Sequence, residues 1–509
     1  MASHFLNTLQ NIEKLIQCSQ INKARQLLLT IPYGKLAEAE AIQYAHLSRR
    51  SGCALRGLKM LKPFVNIEGF GKLKANDEVQ LTYAAGLNSL HFLKEANAIF
   101  LNLKNSLDPE NKSTSQLYFF MGLNAIARWD YENASQYFSI ANCLLTNEYV
   151  KQVAMVNYLA SLVYLEKYSL VLQVIDAEIL TSEKNNWNLL IANLLEIKGQ
   201  ACLFLEDYDV AKYCFEKSIR LHGETNLMQQ LLLQKWQLIM DLRQKGIYNE
   251  PKWYQLQTQA RHANLWELCR DLDYYSLLHC FDLNVFNKLI YGTPFDNYKN
   301  RLIRTYPSIK ILEDPFIWNL PGLIDKRASE SCYSNNEPFK LKKISIKEIE
   351  TRTDIFSVQD LQGIKCLSED FYRPASLGQL YTQVFSDQYF QPETGNQRVQ
   401  KFIQRLRIKL KKLDPLFEIG QYRGHFYLAG KLAIEVPYPI KQSTQWSRRH
   451  ECNELQLPTS DYFSSREVAK LNSLISHRQV IRKLNHVLEK GIIGKIGLGS
   501  SSKYFIRMD

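Results

Sequence analysis

Apolar residues follow helical spacing through most of residues 1–245, and small residues recur within that pattern. Two copies of one motif share internal spacings of 12, 4 and 3 residues: Gly122, Ala134, Phe138 and Ala141, and Gly199, Ala211, Phe215 and Ser218. Weaker copies place their anchors at intervals of 30 to 42 residues: Ala24, Ala54, Ala96 and Val171. Small residues let paired helices approach closely, and the following large residue fills the gap between neighbouring pairs. The pattern predicts an α-solenoid of helical hairpins over residues 1–245.

This motif resembles the tetratricopeptide repeat family. The family's small positions match Gly122, Ala134 and Ala141, and its aromatic position matches Phe138. The intervals drift from the family's usual 34 residues, so the array is degenerate. Because stacked helical hairpins leave an extended concave surface, we expect a curved groove that holds a protein or peptide partner. The alternative is a helical scaffold that holds no ligand.

Residues 246–330 are rich in large aromatic side chains and do not follow the spacing of the repeats. We expect them to form a helical extension or cap on the solenoid. A polar stretch at 331–338 then marks a boundary.

Segment 396–413 carries an apolar stripe with the spacing of one helix face: Val399, Phe402, Ile403, Leu406, Leu410 and Leu413. Seven basic residues occupy other positions, and no acidic residue appears before Asp414. A solvated helix face normally mixes charges of both signs, so an all-basic helix favours a polyanionic partner. The predicted DNA-contacting residues of this helix are Arg398, Lys401, Gln404, Arg405, Arg407, Lys409 and Lys412.

Two short strands are predicted after this helix, the first at 417–419 and the second at 421–428, with a turn around Gly420 between them. Residues 339–430 resemble the OmpR/PhoB-type winged helix. The matching positions are Val399, Ile403, Arg405, Leu406, Arg407, Lys409 and Leu410 in the helix, and Arg423, Gly424, Tyr427 and Leu428 in the wing. The resemblance implies that helix 396–413 enters the major groove and that Arg423 lies near a phosphate or the minor groove. Gln400, Phe402 and Phe426 depart from the family pattern, so its base preference does not carry over.

Residues 431–460 are predicted to be a linker, and residues 461–509 a second small domain. Ser464 and Glu467 have the spacing of a capping box, and an amphipathic helix is expected at 477–490, followed by two strands. This pattern resembles a bacterial winged helix of a broad kind. Its outward polar residues are candidates for DNA contact, with protein contact as the alternative: His477, Arg478, Arg482 and Lys483.

Charge supports the same assignment. The chain has 509 residues and a net charge of +12, and residues 331–509 carry 28 Lys and Arg against 18 Asp and Glu. That third of the chain therefore holds +10 of the surplus. No long apolar run predicts a membrane span, and no secretory signal is recognisable. The ten cysteines lack Cys-x-x-Cys spacing, so we expect neither a disulfide framework nor a metal site.

These features predict a mainly α chain, with an N-terminal α-solenoid followed by two small α+β winged-helix domains. The functional hypothesis is a cytoplasmic bacterial transcription regulator that is not an enzyme and has no cofactor or catalytic residue. Its expected partners are double-stranded DNA and a protein or peptide in the groove, with RNA polymerase and a second copy of the chain as further candidates. The alternative is a non-enzymatic scaffold subunit that uses its repeats and winged helices for protein assembly.

Overall fold

The computed structural model contains two compact units, Met1–Val436 and Pro437–Asp509. It describes residues 2–17, 20–69, 71–108, 111–222, 227–263, 265–309, 315–321, 342–385, 388–422, 424–437, 463–471, 477–489, 493–496 and 503–506. The fold is mainly α, as predicted, and each sheet in the described residues has two or three strands. Over these residues, no helix combines the length and apolar character needed to cross a bilayer.

The first unit begins with seven helical hairpins among the described residues. Their helices are α1 (Ala2–Gln17) and α2 (Ile21–Thr30), α3 (Glu38–Arg50) and α4 (Ala54–Leu61), α5 (Asp77–Ser89) and α6 (Leu93–Ser106), α7 (Lys112–Ala127) and α8 (Tyr131–Leu144), α9 (Glu148–Tyr164) and α10 (Tyr168–Lys184), α11 (Asn188–Phe204) and α12 (Tyr208–His222), and α13 (Leu227–Lys245) and α14 (Glu250–His262). A short antiparallel pair, β1 (Asn66–Gly69) and β2 (Lys72–Lys74), follows the second hairpin. The predicted helical-repeat solenoid is confirmed. Since α14 pairs with α13, the predicted end at residue 245 divides a hairpin.

The turns of six hairpins share one backbone feature, a residue with positive φ. These residues recur every 37 to 40 positions: Gly52, His91, Trp129, Glu166, Glu206 and Gly246. At His91, the next amide, that of Phe92, donates a hydrogen bond to the carbonyl of Leu87 at 3.0 Å. This is the Schellman arrangement, which satisfies a carbonyl at the helix end. The repeat is thus visible in the backbone even where the sequence motif is weak.

The glycine and phenylalanine anchors pack as their spacing predicts. A Cβ atom on Gly122 would lie 2.7 Å from the ring of Phe138, and one on Gly199 would lie 2.6 Å from the ring of Phe215. Both rings are buried. Any larger residue at either glycine would therefore force the two helices of the hairpin apart.

Three helices follow the hairpins: α15 (Trp266–His279), α16 (Leu283–Tyr291) and α17 (Asp296–Thr305). Residues 266–305 are mainly helical, in line with the predicted helical extension or cap, and α17 also contacts turns in the middle of the solenoid. Asn297 donates a hydrogen bond to the carbonyl of Trp129 at 3.2 Å, and Arg301 pairs with Glu166 at 3.0 Å. Aromatic contacts between α17 and the solenoid, made by side chains that are far apart in sequence, help to hold α17 in this position.

Residues 342–436, here called the C-terminal module, complete the first unit. Their elements are β4 (Lys343–Ser345), α18 (Ile346–Thr351), α19 (Val358–Ser368), α20 (Leu377–Val384), α21 (Gly395–Leu413), β5 (Phe417–Tyr422), β6 (His425–Gly430) and β7 (Ala433–Val436). Strand β3 (Phe316–Asn319) pairs antiparallel with β7, and β4 pairs parallel with it. Two predicted boundaries are therefore wrong: 316–319 joins this module's sheet, and the linker placed at 431–460 begins with a strand.

The second unit contains β8 (Phe463–Ser464), α22 (Ser465–Leu471), α23 (His477–Glu489), β9 (Ile493–Ile496) and β10 (Lys503–Ile506), with sheet order β8-β10-β9. The predicted capping box is present, since the Glu467 N–H donates to the Ser464 hydroxyl at 3.3 Å and the Ser464 N–H donates to the Glu467 carboxylate at 2.6 Å. A small core forms from Val468, Val480, Leu484 and Tyr504. The predicted order of helix, helix and paired strands is observed.

Candidate nucleic-acid interface

Helix α21 is held in place by its apolar stripe, as its spacing predicts. Five residues of the stripe are buried: Val399, Phe402, Ile403, Leu406 and Leu410. Helix α19 approaches closely at Gly363, where a Cβ atom would lie 2.4 Å from the ring of Phe402. One side of α21 is thereby fixed against the module, and the opposite side remains free for contact.

Three of the basic residues predicted to contact DNA have partners inside the module. Arg398 lies over the ring of Phe385 at 4.8 Å, and the Nε of Arg407 donates to the carbonyl of Ile419 at 3.0 Å. Lys409 forms an ion pair with the buried Asp360. Burial alone would raise the pKa of Asp360, but hydrogen bonds from Lys409 and Ser357 hold it below its usual value. These three basic side chains flank the apolar stripe, so neighbouring elements of the module can reach them.

The remaining candidates lie on the solvent side of α21. We call the basic face its seven solvent-facing residues: Gln397, Lys401, Gln404, Arg405, Ile408, Lys411 and Lys412. It includes four of the predicted contacts, namely Lys401, Gln404, Arg405 and Lys412. Four of its members are basic and none is acidic. At about 100° per residue, the middle of this face points directly away from the buried stripe.

A hairpin of β5 and β6 follows α21 and is fixed to it through the contact between Arg407 and Ile419. Residues Phe417 to Tyr422 pair antiparallel with His425 to Gly430. Gly424 has a φ of +81°, a conformation that L side chains rarely adopt, so the tight turn explains the glycine. The two strands expected after the basic helix are present, but the turn predicted around Gly420 is wrong, because Gly420 lies inside β5 and pairs with Tyr427. Arg423, the predicted wing contact, lies outside the described residues.

The solenoid contacts the elements that come before and after α21 in the chain. The first turn of α20 lies against the α5–α6 turn, since a Cβ atom on Gly378 would be 2.3 Å from the carbonyl oxygen of Leu90. At the end of β5, the hydroxyl of Tyr422 donates to the carbonyl of His262 at 2.9 Å. Sequence reasoning missed both contacts, because neither residue pair has a local pattern.

Phe92 anchors this contact from the solenoid. Its buried ring lies 4.2 Å from the ring of Phe390 and 5.8 Å from that of Tyr381. Phe390 belongs to the loop that leads into α21. The position of the basic helix therefore depends on a solenoid side chain nearly 300 residues earlier in the chain.

We expect Phe92→Leu to lower the free energy of unfolding by about 1–2 kcal/mol, because the smaller side chain leaves space between Phe390 and Tyr381. Urea unfolding followed by circular dichroism measures this change. Phe281→Leu is the matched control, since Phe281 is 40% exposed. Equal effects of the two substitutions would contradict the anchoring role of Phe92.

Helix α15 and the module share one buried ion pair and a buried hydrogen bond. Arg270 is fully buried and reaches both carboxylate oxygens of Asp370 at 2.7 Å. Burial opposes its charge, but Asp370 and Glu267 hold the pKa of Arg270 above its usual value. The hydroxyl of Tyr372 donates to Asp273 at 2.7 Å. These contacts make residues 342–436 part of the first unit rather than a free domain.

The first helices of successive hairpins contact one another along the solenoid. Arg49 on α3 lies 5.0 Å from the ring centre of Phe120 on α7. The Nε atoms of Arg49 and of Arg128, which directly follows α7, are buried without a hydrogen-bond partner. Burial lowers the pKa of Arg49 to about 10 and, with the Arg49 charge, that of His46 to about 4. Among the described residues, Arg49 and Arg128 form no ion pair.

Farther along the solenoid, the first helix α13 is covered by α15. Lys235 on α13 forms a buried ion pair with Asp271 on α15 at 2.7 Å. The ring of Trp236 on α13 lies 5.6 Å from that of Tyr275, which is also on α15. Among the described residues, the region from α3 to α7 is therefore the candidate surface for a partner.

In the second unit, the structure describes two of the four predicted contact side chains. His477 lies 3.0 Å from the hydroxyl of Ser465, and Arg482 is exposed. The side chains of Arg478 and Lys483 lie outside the described residues. His477 and Arg482 are both exposed, so both stay candidate contacts of this unit.

The sequence matches no known protein family, and a search of curated proteins finds no relative. Among solved structures, the crystal structure of the apo form of RapI is similar in fold, with 13% sequence identity and a TM-score of 0.37. The similar region covers 60% of this chain and 91% of that chain. This weak similarity concerns helical architecture, and no functional conclusion rests on it.

Proposed function

We propose that this protein is a DNA-binding transcription regulator whose first unit contacts duplex DNA through the basic face of α21. The observation that carries the proposal is the charge of that face, four basic side chains and no acidic one on the solvent side of a 19-residue helix. Such a helix is about 28 Å long. The major groove is wide enough to admit an α-helix. Lysine and arginine side chains along it would neutralise phosphates or reach base edges.

The arrangement around α21 supports a winged-helix mode of contact. Helices α19, α20 and α21 precede the β5–β6 hairpin, and Ala375, just before α20, forms a bridge with Phe426. In this mode α21 is the recognition helix and the hairpin is the wing beside it. The three basic residues with partners inside the module, Arg398, Arg407 and Lys409, then hold the recognition helix in position.

We propose that the solenoid takes a protein or peptide partner at its concave side between α3 and α7. Arg49 and Arg128 each have a buried Nε atom without a hydrogen-bond partner, and Asn124 has a buried side-chain oxygen without one. These groups favour a segment that carries a carboxylate and a hydrogen-bond donor. A partner that changed the curvature would shift Leu90 relative to His262, which contact α20 and β5, the elements before and after α21.

For the second unit, we propose a supporting role in DNA or protein contact. Its exposed Arg482 lies on α23, an amphipathic helix whose apolar side forms the unit's core. RNA polymerase and a second copy of this chain are partners that such a regulator would meet.

A salt series tests the proposed function. If the four cations of the basic face each neutralise a phosphate, affinity for duplex DNA should fall about 10²-fold between 50 and 200 mM salt. The intact chain and a fluorescent duplex are sufficient for the measurement. An affinity that does not change with salt, or no binding at 50 mM, would instead favour the scaffold alternative.

A further inference from the structure

The basic face contains one apolar residue, Ile408, and it is 61% exposed. At about 100° per residue, it lies near the middle of that face, opposite the buried stripe. The other large apolar side chains of α21 pack toward the module, and none of them is among the chain's exposed large hydrophobic residues. Ile408 is therefore an isolated apolar group at the most outward point of the helix.

The neighbours of Ile408 are all polar. Gln404 is one turn before it, and Lys411 and Lys412 are close to one turn after it. An apolar protein partner would require a wider apolar patch than one side chain provides. The partner surface that complements this basic face is anionic overall and carries a single small apolar group opposite Ile408.

The major groove of DNA offers such a surface. Its rim carries phosphates, and its floor carries one apolar group, the 5-methyl of thymine. Building on the proposed function, we infer that Ile408 contacts a thymine methyl group and thereby helps to select the DNA sequence.

The position of Ile408 gives the contact a definite place. Gln404 lies about 6 Å along the helix axis from Ile408, since four residues rise 1.5 Å each. Base pairs in duplex DNA are spaced about 3.4 Å apart. The thymine should therefore lie within about two base pairs of the base that Gln404 contacts.

Replacing thymine with uracil removes this methyl group and changes nothing else on the base. The intact protein would first select its preferred duplex from a random pool. Each thymine of that duplex would then be replaced by uracil in turn. We expect affinity to fall about fourfold at one or two positions, the value of one buried methyl-sized group.

The matched variant is Ile408→Ala, which should bind the thymine and uracil duplexes equally. Because Ile408 is exposed and alanine is a better helix former, this variant should remain folded. Ile303→Ala is the control, since Ile303 is an exposed isoleucine on α17, and it should keep the fourfold difference.

The outcomes separate this inference from the proposed function. Equal binding of thymine and uracil duplexes by the unchanged protein would overturn the role of Ile408 while DNA binding stands. A thymine preference that persists in Ile408→Ala would overturn it as well. Failure to bind any duplex at low salt would remove the proposed function, and the inference with it.

Discussion

Replacing Lys401 and Arg405 together with glutamate should weaken duplex binding by at least about 10²-fold at 50 mM salt. Both side chains are exposed on the basic face and stand one turn apart. The double change turns two attractions to phosphate into two repulsions. Fluorescence anisotropy with the intact chain measures the loss.

The control must match the change in net charge. Lys212→Glu with Arg220→Glu makes the same change at two exposed positions of α12. That variant should bind within a few-fold of the unchanged protein, since long-range charge effects are screened over about 10 Å at 0.1 M salt. Equal loss in both variants would show that DNA responds only to overall charge. Circular dichroism should show that both variants are folded.

Asp370→Asn should lower the free energy of unfolding by about 3–5 kcal/mol. The substitution keeps the shape of the side chain but leaves the Arg270 guanidinium, which is fully buried, without its main counter-charge. Urea unfolding of the intact chain, followed by tryptophan fluorescence, measures the change.

Glu267→Gln provides the comparison for Asp370→Asn. Glu267 also pairs with Arg270, but its side chain is 40% exposed, so we expect a much smaller loss, below about 1 kcal/mol. Arg270→Met combined with Asp370→Leu should recover much of the stability, because neither charge then remains buried. A loss below 1 kcal/mol for Asp370→Asn would mean that the pair does not hold the module against the solenoid.

Features that depend on local spacing could be predicted from the sequence. The packing of Gly122 on Phe138 follows from residues 16 positions apart in one hairpin. The buried stripe of α21 follows from helical periodicity, and the capping box of α22 from the spacing of Ser464 and Glu467. In each case the interacting groups are close in sequence, so the pattern contains the contact.

Contacts between distant segments could not be predicted. Arg270 and Asp370 are 100 residues apart, and no pattern marks them as partners. The same limit affected the basic helix, since only the fold reveals that Asp360 pairs with Lys409. Ile408 was missed for another reason: apolar periodicity identifies the buried residues, and an apolar residue off the stripe carries no such signal.

Lysine footprinting tests the central claim without any substitution. The intact chain would be acetylated with and without its selected duplex, and the modified lysines quantified by mass spectrometry. DNA should protect Lys401, Lys411 and Lys412 on the basic face and leave the exposed Lys23 and Lys212 of the solenoid unchanged. Full acetylation of all three basic-face lysines in the presence of bound DNA would contradict the account.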